Sequence, residues 1–147
     1  MILITIESRT TNAFYLASKI LQKKNPCWGI GEGQLKLIGA EIIKNFYGYD
    51  ADIDITMIAI PNATAETLVT FGWIGLCIRL LLEIGLFFRT RVWKNYYRLA
   101  LFLFIFFYQF TGSFLTNNGE YVIWILAFTN VFAQFDVKQK LYLSRLN

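Results

Sequence analysis

The chain has 147 residues, of which 56% are hydrophobic, 18% aromatic and only 16% charged, and its net charge is +4. A soluble domain carries about a quarter charged residues, so this composition points to a membrane protein. Histidine is absent, which removes His-based general bases, Ser-His-Asp triads and His-ligated metals.

The opening run "MILITIESR" is apolar up to Glu7 and Arg9. It is too short to span a bilayer and lacks the basic start and cleavage site of a signal peptide. Residues 1–6 read as the end of a helix that begins upstream, so the chain is expected to be the tail of a longer protein. Residues 11–24, "TNAFYLASKILQKK", place Phe14, Leu16, Ala17, Ile20 and Leu21 at helical spacing. Thr11 or Asn12 can cap this amphipathic helix, and Asn25-Pro26 ends it. A glycine loop follows, with Gly29, Gly31 and Gly33 at alternate positions, then a short helix over 34–45 and a turn at Gly48. Asp50, Asp52 and Asp54, at i, i+2 spacing, read either as an extended, solvated loop or as one face of a strand that could hold a hard cation, the loop being the favoured reading.

Three membrane segments are expected, at about 63–88, 97–115 and 119–136. The predicted fold is an all-α membrane protein in which residues 1–62 form a loop region with short amphipathic helices. Arg79 and Glu83, four apart in the first segment, share a helical face and can pair. Arg89, Arg91, Lys94 and Arg98 lie between the first two segments, and Lys138, Lys140 and Arg145 follow the third. "TNNGE" between the second and third has no basic residue. The positive-inside rule then puts the basic loop and the C-terminus in the cytoplasm and residues 7–62 outside. Because the positive charges read as topology signals, no nucleic-acid partner is expected. Cys27 and Cys77 have neither zinc spacing nor a common compartment for a disulfide.

Several residues invite chemistry, each with two open readings. "GIGEG" lacks the third-glycine spacing of a dinucleotide fingerprint and the Gly-Lys-Ser/Thr of a P-loop. It is either a tight turn permitting close backbone approach, or a nest of amides facing an anion. Arg9 is either a solvated flank or a phosphate clamp, since a guanidinium makes bidentate contacts. Glu66 either complements the dipole of a helix capped by Asn62, or serves as a carboxylate base. No metal cluster or cofactor is expected.

The order Ser8-Arg9, amphipathic helix 11–24, Asn25-Pro26, Cys27-Trp28, Gly29-Ile30-Gly31 resembles an outer loop of the bacterial O-antigen polymerase and ligase family. Further on, "PNATAETLVTFGWIG" supplies Asn62, Glu66, Gly72 and Gly75 where that family opens a helix after a short polar stretch. Pro61 stands where a histidine is common in the ligase branch, which fits the polymerase branch better. Family members have many more spans, so the chain resembles only the C-terminal portion of one.

The resemblance implies a glycosyltransferase of the bacterial inner membrane that joins oligosaccharide repeat units carried on undecaprenyl diphosphate. Arg9, helped by Lys19, would bind the diphosphate. Gly29, Gly31, Gly33 and Asn62 would line the ligand, and Glu66 or Glu32 would activate the attacking hydroxyl. The partners implied are the lipid-linked oligosaccharide, the bilayer, and missing N-terminal helices or a companion chain. Two other readings are a non-catalytic membrane scaffold or inactive fragment, and a transporter or ligase piece.

Overall fold

Leu16, Ala17, Ile20 and Leu21 recur on one face, and that face is what the first helix buries. Helix α1 runs Thr11–Leu21, with Ala13, Leu16, Ala17, Ile20 and Leu21 buried and Lys19 outward. It stops before Lys23 and Lys24, whose amides turn back onto the carbonyls of Ile20 and Leu21. The structure, a computed structural model, describes residues 9–48, 60–112 and 118–136. The expected truncated helix at 1–6, Ser8, the acids Asp50, Asp52 and Asp54, and the basic tail 137–147 lie outside those residues.

After the glycine loop the chain makes a π-helical turn, Leu35–Gly39, that runs into α2, Ala40–Tyr47. Gly39 has no side chain, which lets the turn lie against Ile20: a Cβ there would sit 3.1 Å from its Cδ1. Ile43 is fully buried, and α2 closes on Gly48 in the left-handed conformation (φ 66°) with its amide on the Lys44 carbonyl. Each fully buried aliphatic residue here contributes about 2 kcal/mol. Helix α3, Ala63–Arg89, follows. It begins at the buried Asn62, which accepts from the Ala65 amide as an N-cap.

The chain divides into two compact units, Met1–Arg79 with Gln109–Leu115, and Leu80–Tyr108 with Thr116–Asn147. In the second, a 3₁₀ turn, Val92–Lys94, leads into α4, Tyr96–Tyr108, and α5 spans Asn118–Phe128. Val92, Phe102 and Ala127 form its core, with Phe87, Leu99, Phe106, Trp124 and Phe128 packed around them. Phe102 stacks on Phe106 at 5.5 Å and Trp124 on Phe128 at 5.4 Å.

Among the described residues one helix, α3, is long and apolar enough to cross a membrane, not the three expected. The segment expected at 97–115 is helical only to Tyr108, a rise of ~20 Å against a hydrocarbon core of ~30 Å. It stops because the polar turn that follows is used elsewhere. The Gln109 carbonyl accepts from both the amide (3.1 Å) and hydroxyl (3.0 Å) of Thr64, and the Gly112 carbonyl from the Ala63 amide (2.7 Å). The segment expected at 119–136 is helical only to Phe128, ~16 Å. The multi-pass inner-membrane placement, with residues 7–62 outside, falls with those two spans, because the charge rule orients alternating crossings. Arg98, counted there as a cytoplasmic charge, is buried.

Asn95 repeats in the second unit what Asn62 does in the first. Fully buried, it caps α4 by accepting from the Arg98 amide (3.1 Å) and donates to the Phe132 carbonyl (2.9 Å) and Asp136 Oδ1 (2.8 Å). Asn95→Ala is expected to destabilise this unit by about 2 kcal/mol, one for the cap and one for the stranded acceptors. The urea midpoint would move accordingly, and an unchanged midpoint would contradict the assignment.

Candidate functional site

The glycine loop and the head of α3 meet at a break in the helix. Gly72 departs from helical geometry (φ 67°, ψ −170°) inside α3. In an unbroken helix the Trp73 and Ile74 amides would donate to the carbonyls of Val69 and Thr70. Here the loop takes all four groups. The amides of Ile30 and Gly31 donate to Val69 and Thr70 (both 2.9 Å), and Trp73 and Ile74 donate to the carbonyls of Pro26 (3.0 Å) and Cys27 (3.1 Å).

Glycine is required on both sides of this exchange. Gly29 has φ +74°, and a Cβ on it would meet the Gly72 nitrogen and the Thr70 oxygen at 2.5 Å. A Cβ on Gly72 would overlap the Cys27 carbonyl. The loop is shaped locally as well. Asn25 Oδ1 accepts from the Cys27 amide (2.9 Å), the Gly29 amide closes onto the Asn25 carbonyl (2.9 Å), and Lys24 Nζ reaches the Ile30 carbonyl (3.0 Å). The amides of Gly29, Ile30 and Gly31 are therefore all engaged in backbone hydrogen bonds, the close-approach use of the glycines. Gly33, by contrast, has open space around its Cα and sits beside the exposed Glu32.

The break also changes what Arg79 can reach. Twelve residues of straight helix rise ~18 Å, beyond an arginine side chain. Yet Arg79 Nη1 donates to Thr67 Oγ1 at 2.8 Å, a contact that exists because the helix bends between them. The face expected to join Arg79 to Glu83 thus also serves a residue on the far side of Gly72.

Asn62 is the second organising residue. It is fully buried, and its Nδ2 donates to the carbonyls of Arg9 (2.9 Å) and Phe110 while Oδ1 caps α3. Its polar atoms thus hold three chain segments together. They bring the backbone of Arg9, whose side chain is exposed, to the positive end of α3, with Glu66 in the first turn. Lys19 lies ten residues along from Arg9, on the outer face of α1, with its ammonium 4.8 Å from the Tyr15 ring. The structure thus gathers Arg9, Asn62 and Glu66 at one helix head, and Gly29 and Gly31 at the break. Lys19 instead sits over Tyr15 on its own helix, and Glu32 is exposed on the loop beside Gly33.

Arg98, which charge patterning assigns to a basic loop, is instead a structural centre. Its Nε donates to the Ala127 carbonyl (2.9 Å) and its Nη2 to those of Thr90 and Phe128 (both 3.0 Å). Burial pushes its pKa below the usual arginine value, and the charge of Asp136 opposes that shift in part. The signal available in the sequence is Asn95 three residues ahead of it, a cap that places Arg98 in the first turn of a helix rather than in a loop. Comparison with protein-family models, curated proteins and solved structures gives no match to this chain.

Proposed function

We propose that this chain forms part of a site that joins lipid-diphosphate-linked oligosaccharides and meets the bilayer through α3. The observation that carries the reading is the tie from Asn62 to the backbone carbonyl of Arg9, which holds an exposed arginine beside the head of α3, among the described residues the one helix long and apolar enough to cross a membrane. Positive helix-end charge and a bidentate donor both favour a diphosphate. Helix α3 suits lipid contact, since only 17% of its most apolar stretch is buried and Trp73, Ile78, Leu81, Leu82 and Phe88 are exposed.

In the reaction, a sugar hydroxyl oxygen attacks the anomeric carbon of the lipid-linked chain. The bond from that carbon to the diphosphate oxygen breaks, and its electron pair leaves on the diphosphate. Arg9 stabilises that growing charge, worth a few kcal/mol in a site sheltered from water. The hydroxyl proton passes to a carboxylate, Glu66 being the one in the first turn of α3. Companion membrane helices would complete the cavity.

Arg9→Ala, in cells that depend on this protein for polysaccharide, is expected to abolish long polymer and leave single repeat units. Gel electrophoresis of the glycan reads this directly, and a normal ladder would reject the proposal. A second reading, a non-catalytic scaffold, is favoured by the engagement of the Gly29, Ile30 and Gly31 amides and of Asn62 within the fold. It predicts that deleting the protein removes polymer while Arg9→Ala does not.

A further inference from the structure

We infer that residues 25–31 and the break in α3 form a two-state latch, independent of any catalytic role. In the observed state the loop is seated and the helix is broken. In the other the loop has withdrawn and α3 runs unbroken through Gly72.

The exchange of hydrogen bonds makes the second state accessible. The loop occupies the amides of Trp73 and Ile74 and the carbonyls of Val69 and Thr70, the four groups that an unbroken helix would pair with one another. When the loop leaves, the helix satisfies its own groups, while those of the loop turn to water. None of these four helix groups lacks a partner in either state. Gly72 is suited to both, because a residue without Cβ adopts φ near +67° or a helical φ with little penalty. The Arg79–Thr67 hydrogen bond biases the broken state, since it cannot form across a straight helix. Four loop–helix bonds in the seated state are thus exchanged for two helix bonds and the hydration of four loop groups, and two packings of one sequence that each satisfy the helix groups form a bistable element. The switch changes the uninterrupted helix from about 25 Å, over 73–89, to about 40 Å, over 63–89.

Site-resolved amide hydrogen exchange on the purified full chain tests this. The amides of Trp73 and Ile74 are bonded in both states, those of Ile30 and Gly31 only when the loop is seated. In the native protein the latch predicts that Trp73 and Ile74 exchange more slowly than Ile30 and Gly31, by about tenfold or more. Gly29→Ala blocks seating from the loop side and Gly72→Ala from the helix side. Each is expected to remove protection at Ile30 and Gly31 while Trp73 and Ile74 keep theirs. The native measurement stands alone if either variant fails to fold. Equal exchange at all four amides in the native protein, joint loss at all four in a folded variant, or retained protection at Ile30 in both variants would overturn the latch.

Discussion

Arg98→Ala is expected to destabilise the second unit by about 3 kcal/mol, the larger part of a small unit's stability. The last carbonyls of any helix lack partners within it. In α5 those of Ala127 and Phe128 are served by one guanidinium, which also takes the Thr90 carbonyl. Truncation leaves three acceptors stranded, at roughly 1 kcal/mol each. It also removes a positive charge from the negative end of α5, a further few tenths to 1 kcal/mol. Arg98→Lys keeps the charge but has no planar fork to reach three carbonyls, and should recover less than half of the loss. Urea unfolding read together with exchange protection across 118–128 would measure this. An alanine variant with unchanged protection there would contradict the role.

Asn62→Ala is expected to cost the first unit about as much, near 3 kcal/mol, with one part from the lost cap and two from the stranded carbonyls of Arg9 and Phe110. Asn62→Asp separates those parts. Its carboxylate still accepts from the Ala65 amide and suits the helix dipole, but it has no hydrogen to give and faces two carbonyl oxygens. Aspartate, ordinarily an excellent cap, should therefore rescue little. Recovery of native stability by Asn62→Asp would show that capping alone matters and that the tie to Arg9 is idle.

What could be read from the sequence follows how local each signal is. Asn62 ahead of "ATAE" announces a capped helix start, Asn25-Pro26 a helix end, and Gly48 a left-handed stop, because each acts within a few residues of itself. The target of the glycine loop is not local. "GIGEG" permits a nest or a close approach with equal ease, and the partner that decides between them, the backbone from Val69 to Ile74, lies some forty positions away. The two lost spans failed for a related reason. Apolar content between 97 and 136 suits a bilayer, but helix length there is limited by Gln109 and Gly112 turning onto Thr64 and Ala63, and by Arg98 closing α5. Of the proposed site, Arg9, Asn62 and Glu66 were legible singly. That Asn62 is the tether of Arg9 was not, since the bond joins residues fifty-three apart.

The most direct measurement is binding of the purified full chain to lipid nanodiscs with and without undecaprenyl diphosphate. The account predicts diphosphate-dependent binding that weakens at least about tenfold in Arg9→Ala and is only partly restored in Arg9→Lys, which offers a point charge without the bidentate fork. Equal binding to both kinds of nanodisc, or an alanine variant that binds as the native protein does, would contradict it.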